Sequence, residues 1–554
     1  MSISSSNFLR NAVACLACVC ACTTASSADF PSAAQSDPVA LGWMEGFPPP
    51  PEKLITQPDS NYFSFPKLRW TVCHLREFLP TEQVSRGLGA PVALDYALDE
   101  GIDAVTFTPL GGDDTMTWEA SLAANYTDGI LIIHQDQIVY ERYFGCLDEA
   151  GQHGAMSMTK SMTGLLAEIL VAEGTLDDTA PVASIIPELA DSAFGNATVR
   201  QVMDMTTALD YSEDYADPKA DIWVYSRAAS PLPKPADYTG PNGYFEYLQT
   251  VRPAGEHGEA FAYKTVNTDV LGWIVSRVSG RAVTELLSAR IWSRMGADQD
   301  GYMTVDGMGT PFAGGGLSAG LRDLGRIGLL MLNEGVINGE RLFPAKVVTG
   351  IRAGGDKDKF AKAGYKALAG GSYRGMWWVF HNEHGAFAAR GVHGQTIYVD
   401  PTADMVIVRF ASFPVAKNAK IDPTSLPAYQ AVAEYLLAKR TDPALIGEWR
   451  IESIGDSGDF DSDANEFVVM QGGRVAASVG CNRMMGSLRT DAGRVLMGEM
   501  ARTRMACEPA LSDLEDRFLR SLKDVQSYEI DVTGRNLTFL DAQGVILMAL
   551  SRKE

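Results

Sequence analysis

The residues best placed to do chemistry are Ser157 and Lys160, three positions apart in Ser157-Met158-Thr159-Lys160-Ser161. Met158, Met162, Leu165, Leu166, Ile169 and Leu170 recur behind them at helical spacing, and Gly174 suits the helix end. Ser157 therefore falls at a helix N-terminus, with Lys160 one turn on along the same face. A hydroxyl is a weak nucleophile and needs a base within hydrogen-bond reach. A lysine buried near the positive end of a helix dipole has its charged form disfavoured, which makes it a proton acceptor near neutral pH. The free N–H groups of that terminus can also face a developing oxyanion. The pattern predicts acyl transfer through Ser157, against the plainer reading of a capping serine and a solvated lysine.

Other patterns carry less. Gly316-Leu317-Ser318-Ala319-Gly320 has the spacing of a nucleophile elbow. Such an elbow must follow a buried strand, whereas Ser318 follows a glycine-rich run. The amphipathic run 321–332 makes Ser318 a helix cap instead. The seven histidines, His381 and His384 included, fall at no spacing that suits zinc. No metal and no cofactor is implied.

The elements that must hold Ser157 and Lys160 lie on either side of them. A strand pair, 129–134 and 138–144, precedes them about a turn at 135–137. Further strands lie far downstream at 377–380, 386–392, 396–399 and 405–410, and an amphipathic segment, 426–439, closes the region. Strands at both ends with a helical middle predict an α+β fold, one antiparallel sheet with a helical subdomain alongside. The crevice between the two is the expected substrate site. Beyond residue 442 the pattern turns to short strands at 446–451, 467–470, 474–478 and 537–540. With an acidic amphipathic helix at 511–525 and a loop at 456–465, these predict a separate small β-rich domain.

Five stretches carry a family resemblance. They are Ser157-Met-Thr-Lys-Ser, Tyr211-Ser-Glu-Asp-Tyr215-Ala-Asp-Pro, Phe261-Ala-Tyr263-Lys-Thr-Val-Asn-Thr-Asp-Val-Leu-Gly-Trp273, Gly316-Leu-Ser-Ala-Gly-Leu-Arg-Asp-Leu324 and Gly391-Val-His-Gly-Gln395. In this order, across roughly residues 66–439, they resemble the serine β-lactamase and penicillin-recognising superfamily. The likeness is to its branch of class C β-lactamases, family VIII carboxylesterases and 6-aminohexanoate-dimer hydrolases. The resemblance implies a β-lactamase/transpeptidase-like sheet and a second catalytic group, Tyr263. In that role a phenol beside two cationic amines ionises more easily than free tyrosine and relays the proton to the leaving group. It also implies an oxyanion hole from the backbone N–H groups of Ser157 and Val392, with Gly391 and His393 beside the substrate. Tyr215 either reaches the leaving group or anchors its loop.

The chain departs from the family twice. Thr265 stands where an asparagine is usual, with Asn267 two positions on. Ala389 replaces the lysine of the Lys-Thr-Gly element that meets a penicillin's carboxylate, and Arg390 should point to the opposite face of its strand. Farther on, Leu445-Ile-Gly-Glu-Trp449, Gly480-Cys-Asn-Arg483 with Gly486, and Met500-Ala-Arg-Thr-Arg-Met-Ala-Cys507 resemble a META domain of bacterial exported or envelope proteins. That likeness implies a β-rich fold and no catalytic residue.

At 554 residues the chain exceeds one typical core. A net charge of -22 argues against a nucleic-acid partner. Arg10, the small apolar run 12–22 and Ala25-Ser26-Ser27-Ala28 predict an export leader over 1–28, hence a periplasmic or secreted protein. Cys15, Cys18, Cys20 and Cys22 keep a lipid anchor conceivable, and no later run is long and apolar enough to span a bilayer. The expected organisation is then a Pro-rich arm over 29–60, a hydrolase domain over 61–440 and a META-like domain over 443–554. Among the remaining cysteines, Cys481 and Cys507 could form a bridge, Cys73 and Cys146 are left open, and buried free thiols are the alternative for each pair. The expected function is hydrolysis of an ester or small linear amide. The rivals are a non-hydrolytic penicillin-binding-like envelope protein and a true β-lactamase or DD-peptidase. The oligomeric state is not read from the sequence.

Overall fold

The computed structural model describes residues 30–56, 61–439, 441–455, 457–458, 465–470, 473–491, 494–498, 500–503, 505 and 508–553. The leader and Cys507 lie outside them. The main sheet comprises β1 (Asp95–Tyr96), β2 (Thr127–His134), β3 (Gln137–Tyr143), β4 (Ser372–Arg374), β5 (Trp377–Val379), β6 (Phe387–Gly391), β7 (Gln395–Asp400) and β8 (Met405–Ala411). Their order is β4-β5-β6-β7-β8-β2-β3-β1. The pairings are antiparallel except that of β1 with β3. β2 is buried on both faces: Ile130 and Ile132 enter one core, Leu131 and Ile133 the other. A strand so placed reads as an unbroken apolar run rather than an alternation.

The helices that matter to the site are α1 (Met158–Ala172), α2 (Asp221–Ala229), α3 (Val266–Ser279), α4 (Leu321–Leu332) and α5 (Asp422–Lys439). α1, α3 and α4 fill the larger core on one face of the sheet, and α5 covers the other through Tyr429, Val432 and Leu436. α5 begins four residues earlier than its periodicity predicts, with Pro427 inside it. That proline removes the N–H owed to the Pro423 carbonyl, and Leu110 N–H supplies the bond instead at 2.9 Å. None of the helices described is long and apolar enough to cross a membrane.

One expectation is corrected here. Ser318 is not a helix cap: it lies in a three-residue strand, Leu317–Ala319, wholly buried and paired with Tyr302 and Gly154, and Gly320 caps α4. Burial also takes Ser318 away from any substrate. Cys73 and Cys146 are joined in a disulfide. Cys481 is also disulfide-bonded.

The C-terminal domain is built from β9 (Gly447–Ile454), β10 (Glu466–Val469), β11 (Arg474–Val479), β12 (Asn482–Asp491), β13 (Arg494–Met497), β14 (Ser527–Ile530), β15 (Asn536–Leu540) and β16 (Ile546–Arg552). Each pairs with the next, and β16 returns to β9, closing a barrel. Trp449, Phe467 and Phe539 fill it, and α6 (Pro509–Asp524) adds Phe518 and Leu522.

Candidate active site

Ser157 occupies the N-cap position of α1, yet its side chain makes no capping hydrogen bond. Its Oγ is engaged by Lys160 Nζ instead, at 2.9 Å. The residue before it, Met156, is held at φ 48°. A non-glycine residue in that region costs about 1–3 kcal/mol and persists only where its surroundings enforce it. Here it turns the chain from the His153–Gly154 strand into α1, with Met156 packed among Leu68, Val72, Leu75 and Tyr302.

Lys160 is 1% exposed. Its Nζ also donates to the Gly314 carbonyl at 2.6 Å and stands 5.2 Å from the centre of the Tyr263 ring. Burial pushes its pKa down to about 8, against the opposing pull of Glu213 and Asp269. A neutral amine 2.9 Å from a hydroxyl is placed to take its proton.

Tyr263 stacks on Trp378 at 5.5 Å, and Ser157 is near enough to pull the phenol's pKa down slightly. Its expected ease of ionisation is wrong. Burial, then Glu213, raise its pKa well above the ordinary value. Lys160 stands over its ring, but Lys264 turns to the Leu209 carbonyl and position 389 is alanine. A phenol in this setting stays neutral, and can act on a proton only by giving one and receiving another together. Thr265 spends its hydroxyl on Glu213 at 2.6 Å, and Asn267 accepts from Thr207, also at 2.6 Å. Neither replaces the missing asparagine.

The end of β6 closes the other side. A Cβ at Gly391 would lie 2.8 Å from Ala155 O and 3.0 Å from Ser157 N, so only glycine lets the strand come this near the nucleophile's N–H. Val392 follows in the turn Val392–Gly394 and, like both disulfide cysteines, packs against the small cluster that holds Met156. Ala389 is buried and pairs with Ile397. Arg390 bonds to Asp422 on α5, across the sheet, though its charge is still felt at Tyr263. His393 is tied through Nδ1 to the Phe413 carbonyl at 2.7 Å and meets Phe63 edge-on. Burial lowers its pKa to about 4. Its contacts do not reach Ser157, Lys160 or Tyr263.

Tyr215 is brought to the cluster by Glu213, whose Oε1 accepts its hydroxyl at 2.9 Å, and it meets Trp223 edge-on. Three residues here escaped the sequence reading: Glu213, Gly314 and Asp269. Asp269 had a visible signal, an acid amid the apolar residues Val266, Val270, Leu271 and Ile274 of one helix. Glu213 and Gly314 had none, since chain reversals over long separations bring them in.

A sheet covered by helices on both faces, with a serine and a buried lysine at the start of the central helix, is the architecture of a β-lactamase-fold hydrolase. The beta-lactamase family profile matches residues 120–426, and the chain belongs to that family. The META domain profile matches residues 443–554. The 6-aminohexanoate-dimer hydrolase of Paenarthrobacter ureafaciens is 35% identical over 392 residues, 70% of this chain and 91% of that one. A solved structure assigned provisionally as a 6-aminohexanoate-dimer hydrolase, from Bacillus anthracis, is 31% identical with a TM-score of 0.63. It covers 70% of this chain and 98% of its own.

Proposed function

We propose that this protein is a serine hydrolase that cleaves an ester or small linear amide through an acyl-enzyme on Ser157. The observation that carries the reading is the 2.9 Å contact between Ser157 Oγ and a buried Lys160 amine. Neutral Lys160 takes the Ser157 proton as Oγ attacks the substrate carbonyl. The resulting oxyanion is received by the N–H groups of Ser157 and Val392, where β6 meets α1. Tyr263, beside Lys160, gives its proton to the departing alcohol or amine and takes in exchange the one Lys160 carries, so the amine is neutral again and the phenol intact. Water then enters and the same groups act in reverse, freeing the acid and restoring Ser157.

The 6-aminohexanoate dimer in the relatives' names is a linear amide, which supports the amide half of this substrate class. Ala389 argues against penicillins. A carboxylate without its charge-assisted partner loses about 1.5–3 kcal/mol. Since each 1.4 kcal/mol is tenfold, β-lactam turnover falls roughly ten- to a hundredfold. Export is supported by the leader-like N-terminus and by the Cys73–Cys146 disulfide, a bond favoured in oxidising compartments. The test is kcat/KM for p-nitrophenyl butyrate, a linear aminoacyl amide and nitrocefin on the purified protein. Turnover of the ester or the amide above that of nitrocefin supports the reading. Nitrocefin matching or exceeding both moves the protein to the β-lactamases.

A further inference from the structure

Asp269 is 2% exposed, on a helix where Val266, Val270, Leu271 and Ile274 are buried with it. Both of its oxygens are engaged: Oδ1 accepts the Gly314 N–H at 3.0 Å and Oδ2 accepts the Tyr225 hydroxyl at 2.6 Å. The carbonyl of that same glycine accepts Lys160 Nζ at 2.6 Å. Gly314 thus has its N–H held by the acid and its C=O held by the amine. No larger residue fits between them, because a Cβ there would stand 2.6 Å from Thr265 Cγ2 and 2.8 Å from Asp269 Oδ2. A buried acid that leaves water is costly unless its bonds and charge are used.

We propose that Asp269 is a positioning residue for the Lys160 base: it braces the Gly314 residue that holds the amine and places a negative charge opposite it. This rests on the reading of Ser157 as a nucleophile activated by Lys160. The titratable groups facing Asp269 are Lys160 from α1, Tyr225 from α2, Tyr244 from the helix Tyr244–Leu248, and Glu213 and Tyr211 from the loop before α2. Burial raises the pKa of Asp269, while its charge raises that of Lys160 against the lowering that burial imposes. Asp269 also lines a cavity of about 200 Å³ with Tyr244, Phe245, Trp273 and Pro311.

The sign of the effect follows. Asp269→Asn keeps the size and both hydrogen bonds, since Tyr225 can turn its hydroxyl to accept from the new amide, but it removes the charge. Lys160 then loses its proton at lower pH, and the rising limb of kcat/KM for p-nitrophenyl butyrate moves down by about one pH unit, with KM unchanged. Asp269→Ala also removes the brace, and the plateau kcat falls roughly tenfold or more. Tyr225→Phe makes the carboxyl harder to ionise and should shift the limb the same way by less, which provides a second variant if Asp269→Asn does not fold. The Lys160 titration is followed independently by carbon-13 NMR of lysine-labelled protein, the resonance being assigned by its loss in Lys160→Ala. If Ser157→Ala retains hydrolysis, the nucleophile assignment falls while the NMR titration still judges Asp269. A Lys160 titration identical in wild type and in the soluble variant overturns the proposal.

Discussion

At the residue scale the site divides into what the chain's spacing announces and what burial adds. Ser157 and Lys160 were legible because three residues on a helix make neighbours whatever the rest of the fold does. The acidity of Tyr263 was misjudged because it depends on burial and on Glu213, which no local spacing reveals. The two protonation states lead to a definite pH dependence. In the proposed mechanism the neutral amine of Lys160 is the active form and is gained as pH rises through about 8, so kcat/KM should climb with a midpoint near there. Tyr263 stays protonated over the same range and adds no second limb. A falling limb below pH 9 in wild type would point to an ionising tyrosine instead. Lys160→Ala and Tyr263→Phe should each lower kcat strongly yet not additively, since both lie on one proton path. Arginine at position 160 should not rescue, because guanidinium does not give up its proton. Fully additive losses in the double variant would assign the two groups to separate steps.

At the element scale, the proposed mechanism depends on α1 and the end of β6 being brought together, as the close approach of Gly391 to Ser157 N does. The strands of both sets were legible from their apolar runs and the turn residues between them. Leu317–Ala319 was not, since three residues are too few to show a period, and its serine was misread as a cap. The Cys73–Cys146 bond was equally out of reach, because its partners are 73 residues apart and meet only once the sheet has formed. It packs, as Val392 does, against the small cluster that holds Met156 just before the proposed nucleophile. Closing a loop of that length stabilises the fold by on the order of 4 kcal/mol. Replacing both cysteines by serine should therefore lower the urea midpoint well beyond a surface change. Unfolding curves that superimpose would show that the bond contributes no stability.

At the scale of the whole molecule, the chain is two bodies with their own cores. The barrel closes around Trp449, Phe467 and Phe539, independent of the cores that flank the main sheet. Contacts between the two include Arg489 on the Thr402 carbonyl and an exposed pair, Arg474 with Glu383 at 3.5 Å. Exposed pairs of this kind are worth about 1 kcal/mol or less. A chain ending at Lys439 should therefore stay soluble and keep its kcat/KM, and loss of soluble protein would mean that the barrel shields apolar surface. The nucleophile itself is tested most directly by the intact mass of the whole chain after exposure to a fluorophosphonate. One adduct per molecule, carried by the peptide that contains Ser157 and absent from Ser157→Ala, is the predicted result. Adduct on the Ser157→Ala chain, or an unlabelled wild type that still hydrolyses ester, would contradict the account.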